Sequence, residues 1–245
     1  MPVTRAALLA AGLALLALLW GGPLPGLTDS HFSAHMLLHM SVVAVAAPLL
    51  ALGLAGTAWD PARRWPVLFS AVPASVAELV AVWVWHAPTL HRAARLHEGV
   101  LVAEQATFLV AGLWLWMSAC GGDLRREPHR IWSGVAGLLF TSIHMTLLGA
   151  LFALAPDSIY TPQAGAASAA DQHLGGSLML LIGGVSYLAG GLGLAMYGLQ
   201  RAPRPSSEAP HSEAPHSEAP HSKAAPSEAA PPALSSKRLP SRGMP

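Results

Sequence analysis

Three histidines and two methionines crowd one ten-residue stretch, His31-Phe32-Ser33-Ala34-His35-Met36-Leu37-Leu38-His39-Met40. The histidines recur at i, i+4 and i+8, so a helix carries them near one another on a single face, with Met36 and Met40 as a second i, i+4 pair beside them. Imidazole and thioether together suit copper better than magnesium or calcium. The stretch runs on into Ser41–Gly53, which is apolar enough to lie in a membrane. Two imidazoles one turn apart in such a helix, His35 and His39, need partners, and one metal ion satisfies both.

The elements that must position these residues are membrane helices. The chain has 245 residues, of which 53% are hydrophobic and only 11% charged, whereas soluble domains run to about 25% charged. The first lysine is Lys223, and a net charge of +1 gives no reason to expect a nucleic-acid partner. One cysteine, Cys120, excludes an internal disulfide and any Cys-rich zinc or iron–sulfur site. Ala6–Trp20 is a first apolar run, read as a retained span rather than a cleaved signal peptide because no small-x-small site follows Trp20. Longer runs follow at about Ala34–Thr57, Pro66–Trp85, Gly99–Met117, Ile131–Leu154 and Leu174–Leu199, each near the ~20 residues a bilayer needs. Trp59, Trp65, Trp83, Trp85, Trp114, Trp116 and Trp132 fall near run ends, as an interfacial belt would.

The expected fold is therefore all-α, a polytopic bundle of about six transmembrane helices over residues 1–200, followed by a disordered tail over 201–245. In that tail Ser-Glu-Ala-Pro-His occurs three times in tandem, ending at His211, His216 and His221, and nothing there can bury an apolar face. Arg5, Arg63, Arg64, Arg125, Arg126, Arg130, Arg201 and Arg204 all fall on one side of a six-span topology, and Arg92 and Arg95 are the exceptions. The positive-inside rule makes that side cytoplasmic, with both termini inside.

This topology collects the polar membrane residues at the opposite, outer end. His35, Met36, His39 and Met40 begin the second run there. The third ends at Trp85-His86-Ala87-Pro88, with Glu78 two turns earlier. His91 and His97 lie in the next loop, Glu104 near the mouth of the fourth run, His144 and Met145 in the outer half of the fifth, and Asp171-Gln172-His173 at the start of the sixth. Eight of the nine histidines before the tail thus share one side. Such convergence of costly intramembrane groups marks a metal or cofactor site. The candidate ligands are His35, His39, His86, Met36, Met40, His97, His144 and His173; Glu78, Glu104 and Asp171 would orient a ligand or balance charge. Blander roles compete. His31, His91 and His97 have the character of ordinary interfacial side chains, and of these only His97 is kept as a candidate. The methionines also suit plain packing, Glu78 suits a protonated carboxyl bonded to a neighbouring helix, and Glu104 suits a histidine's hydrogen-bond acceptor.

In order and spacing these blocks resemble the CtaG family of multi-pass cytochrome c oxidase assembly factors, associated with caa-type oxidases in bacteria. The resemblance rests on His35-x3-His39 leading into Ala47-Pro48-Leu49-Leu50-x-Leu52-Gly53, then Trp85-His86-x-Pro88 and His97. It continues through Glu104 with Phe108-Leu109 and Gly112-Leu113-x-x-Trp116, then Leu148-Gly149-Ala150, Tyr160-x-Pro162 and Asp171-Gln172-x2-Gly175-Gly176. It covers about Ser30–Tyr197. The family tends to have Glu-His where this chain has Glu104-Gln105. The resemblance implies a role in making an active haem–copper oxidase in a bacterial cell membrane, with oxidase subunits or another copper chaperone as partners and membrane lipid around the bundle. The expected function is non-enzymatic, since no nucleophile–base pair or phosphate-binding loop stands out, with copper accepted at the periplasmic or extracellular face. The alternative is a b-type haem cytochrome, in which histidines on facing helices ligate haem; two histidines stacked on one helix beside methionines fit that less well. A copper permease would need polar groups through the membrane, and the inner halves of these runs are almost purely apolar.

Overall fold

The computed structural model describes residues 2–160 and 168–201. The histidine-containing tail and Pro162 lie outside the described residues. All regular structure among those residues is helical. In chain order the elements are α1 (Pro2–Gly21), α2 (Leu24–Leu27), α3 (Phe32–Ser41), a π-helical segment (Val42–Ala46), α4 (Ala47–Leu54), α5 (Pro61–Arg64), α6 (Ala71–Trp85), α7 (Pro88–Leu96), α8 (Glu98–Cys120), α9 (Pro128–Leu154), α10 (Ala169–Leu178), a second π-helical segment (Met179–Gly184) and α11 (Val185–Leu199).

Among the described residues, five helical stretches are long and apolar enough to cross a membrane: Val3–Gly21, Phe32–Leu54, Glu98–Cys120, Pro128–Leu154 and Ala169–Leu199. The chain is a multi-pass membrane protein. The run expected over Pro66–Trp85 forms only the 15-residue apolar helix α6, about 22 Å long against the ~30 Å of a hydrocarbon core. The reason lies at its start. Arg130, buried on the first turn of α9, donates to the carbonyls of Pro66 (3.3 Å), Phe69 (3.1 Å) and Ser118 (3.4 Å). These bonds hold the non-helical stretch from Pro66 to Phe69 in place, and α6 begins after it.

The exposed side chains are those a lipid would meet: Val102, Val110, Ile143, Leu147 and Leu181 are all more than half exposed. Small residues let the helices approach closely inside. Gly112 brings α8 against the backbone of Val43, and Gly149 of α9 meets Gly176 of α10 backbone to backbone. Helix α1 packs along α4, with Leu50 over Gly12 and Leu9 over Gly53.

A π-helical segment interrupts the histidine helix just ahead of Pro48. Proline has no N–H, so the carbonyls of Ala44 (i−4) and, in the π register, Val43 (i−5) lose their intrahelical donor. Side chains from other helices supply the missing donors. Ser186 Oγ donates to Ala44 O (2.6 Å), and Trp116 Nε1 (3.1 Å) and Tyr187 OH (3.3 Å) approach Val43 O. Trp116 is therefore a core residue rather than part of an interfacial belt. Tyr187 OH also lies 2.5 Å from Glu78 Oε1, and Thr141 donates to Glu78 Oε2 (3.4 Å). This buried polar knot ties the π segment to α6, α8, α9 and α11.

Candidate metal centre

Helix α3 has no side-chain cap of its own: His31 at its N-cap is extended and makes no capping bond. The cap comes from α10. Asp171 Oδ2 accepts from Phe32 N (2.6 Å), and its Oδ1 accepts from Ser33 N (3.3 Å) and Ser33 Oγ. Gly175, one turn further along α10, leaves room for the Phe32 ring and Met36. The two contacts fix the rotation of α3, which turns His35 and His39 inward, both fully buried.

Three other elements meet them. His86 closes α6, and its Nδ1 donates to Val82 O at 2.6 Å. That bond sets the tautomer and leaves Nε2 as a lone-pair donor. Ala87 is extended ahead of Pro88, which starts α7 and folds it back over the cluster. On α7, His91 lies edge-on to His35 (4.9 Å between centroids) and stacks on Tyr160 (4.2 Å). Helix α8 contributes Glu104 and Phe108, one turn apart. Glu104 Oε1 lies 3.4 Å from His35 Nε2, and Phe108 packs 4.4 Å from the ring of His39. His39 and His86 are 5.2 Å apart. One ligand atom each from His35, His91 and Glu104 fall within 4.8 Å of one another.

The electrostatics of this cluster favour a cation. Both ring nitrogens of His35, His39 and His91, His86 Nε2 and Glu104 Oε1 are buried with no hydrogen-bond partner. A buried polar atom left without a partner costs about 1–3 kcal/mol. A metal ion ligated by several of these lone pairs removes much of that cost at once. Burial lowers the pKa of His86 to about 4 and pushes that of His91 further down, with the neighbouring His35 adding to the shift in both. Both imidazoles are thus neutral, the form that ligates metal. The donor set of imidazoles and one carboxylate fits copper or zinc and does not fit magnesium or calcium.

The other sequence candidates are elsewhere. Met36 and Met40 are buried but face α10 and the second π segment, where Met40 lies over Gly183 beside Met145. His97 is exposed at the start of α8. His144 is buried with both nitrogens unpartnered, and its ring neighbour is Phe140 (5.8 Å). His173 is half-buried, with Nε2 2.8 Å from Ala155 O. Glu78 is spent on Tyr187 and Thr141, and Asp171 on the first turn of α3. Gln105 is buried, and its Nε2 donates to Glu104 Oε2 (3.4 Å).

His91, expected among the interfacial histidines, and Tyr160, expected only within the Tyr160-x-Pro162 block, both belong to the cluster. A signal was there: Pro88 announces a new helix, and His91 and Ala94 are one turn apart on its buried face. Tyr160 closes the cluster by donating to His86 O (2.9 Å) and packing on Phe32 and Phe152.

Comparison with known proteins bears on this arrangement. The model of the family described as cytochrome c oxidase caa3 assembly factor (Caa3_CtaG) matches residues 1–200, which takes in α1 as well as the blocks from Ser30 onward. No curated protein and no solved structure matches the chain. With the match spanning all the described helices and each block of the sequence resemblance, this chain belongs to the Caa3_CtaG family and acts in cytochrome c oxidase assembly.

Proposed function

We propose that the protein takes up a copper ion as cargo in the cluster of His35, His39, His86, His91 and Glu104, and passes it to a subunit of the oxidase or to another chaperone. The observation that carries the reading is the set of seven unpartnered ring nitrogens and one unpartnered carboxylate oxygen in a single buried place. His35, His91 and Glu104 form the tightest part of the site; His39 and His86 lie one helical turn deeper. Imidazole ligands hold copper while permitting ligand exchange, which a carrier requires. With residues 66–85 together making the third of six crossings, the arginine distribution would turn this end of the bundle outward and leave both termini in the cytoplasm of a bacterial cell. Carriage of this kind makes and breaks no covalent bond in a substrate, so the role is non-enzymatic. Phe108 and Phe152 pack against His39 and His86 where a porphyrin would lie against axial imidazoles, which speaks against haem.

The test is elemental analysis and absorption spectroscopy of the detergent-purified protein after exposure to Cu(I). About one copper per chain, lost in His35→Ala/His91→Ala, is the expected result. A protein that takes up no copper, or carries stoichiometric haem with a Soret band, overturns it.

A further inference from the structure

A groove of about 740 Å³ runs between the first helices and the α7–α8 hairpin. Asp29, Arg95 and Glu98 stand around it, so its charged rim holds two carboxylates against one guanidinium. Arg95 donates to the backbone carbonyl of Asp29. Gln105 belongs to both the groove and the histidine cluster. It lines the groove, it is only 5% exposed, its Nε2 reaches Glu104, and its Oε1 has no hydrogen-bond partner. Tyr160 stacks on His91 and bonds to His86, with Phe32 and Phe152 packed against it. Aromatic rings close the cluster there, whereas the groove has the buried polar Gln105 in its lining.

From this geometry we infer that the groove is the route by which a metal cation reaches the cluster, and that the Gln105 side-chain oxygen is its last contact before Glu104. The inference rests on the proposed copper reading and adds the path. The Arg95 guanidinium offsets Asp29, and the Glu98 carboxylate is left to raise the local concentration of cations at the rim. A neutral amide oxygen is a poor ligand for copper, so it solvates the ion in passing and releases it to the imidazoles. A buried acceptor with no partner of its own serves that purpose, and its unmet hydrogen bond is the cost of keeping it there.

Two variants test the route. Gln105→Leu keeps the volume and removes the oxygen. Ala106→Trp places a bulky ring in the groove from an exposed position in its lining. Metal-free protein in detergent is mixed with Cu(I) supplied as its acetonitrile complex, and occupancy is followed by competition with bicinchoninate. Ala106→Trp should reach the wild-type end point at a rate at least about tenfold slower, equivalent to ~1.4 kcal/mol on the barrier. Gln105→Leu should also load more slowly. Wild-type rates in both variants overturn the route and leave the copper reading standing; failure of the wild-type protein to bind copper at all overturns both.

Discussion

Replacing Asp171 with alanine should loosen the histidine helix at its first turn. Asp171 supplies what α3 lacks, an acceptor for its leading N–H groups, through Phe32 N at 2.6 Å, Ser33 N at 3.3 Å and the Ser33 hydroxyl. Losing an N-cap costs about 0.5–2 kcal/mol, and losing a negative charge at a helix N-terminus adds about 0.3–1 kcal/mol. The expected destabilisation is therefore about 2 kcal/mol. The effect should spread to the metal centre, because Phe32 packs against His91, Phe152 and Tyr160. Asp171→Asn separates this role from charge balance at the metal. Its amide oxygen still accepts from Phe32 N, and its NH2 can donate to the Ser33 hydroxyl, so about half of the loss should return. Unfolding of the metal-free protein in mixed detergent–SDS micelles, followed by far-UV circular dichroism, measures both variants. If Asp171→Ala stays within about 0.3 kcal/mol of wild type, below the cost of any cap, the reasoning is refuted. Charge balance alone would leave the metal-free protein unmoved and weaken copper binding equally in both variants.

Arg130 is 6% exposed and satisfies three carbonyls besides lying 3.6 Å from Glu127. Arg130→Met should cost about 3 kcal/mol, read by the same unfolding assay, and Arg130→Lys should recover only part because an ammonium cannot span those carbonyls; wild-type stability in Arg130→Met would refute the account of where α6 begins. The pH dependence of the metal-free protein follows from His86 and His91, whose folded pKa values lie below the unfolded 6.5. The unfolded chain then binds protons that the folded chain does not, so stability is at its plateau above pH 6.5 and falls as pH drops below it, by up to about 2.7 kcal/mol per unit for the two groups together. A flat profile between pH 7 and 5 would show that these imidazoles are not buried. Truncation after Ala202 should leave oxidase assembly intact in cells, measured as cytochrome c oxidase activity, and loss of activity would assign the tail a function.

Much of this protein was legible in its residue order. Long apolar runs broken by glycine, proline and arginine can fold only as membrane helices, because unpaired backbone groups are intolerable in lipid. The i, i+4 spacing of His35 and His39 places both on one helical face whatever surrounds them, and the blocks around them carry the family. Which residues complete the site depended on tertiary structure. His91 and Glu104 join His35 only because Pro88 turns α7 back over the bundle and α8 then descends beside α3. Met36 lies one residue from His35, yet the helix turns about 100° per residue and the Asp171 anchor directs it to α10 instead. Asp171 and Glu78 looked like metal auxiliaries from their depth in the membrane, but their oxygens are spent on a helix end and on Tyr187. The shortening of α6 depended on Arg130, a residue more than forty positions away. Spacing along a chain determines which side chains share a helix face; which faces meet, and which polar atoms are left without partners there, is decided only when the helices pack.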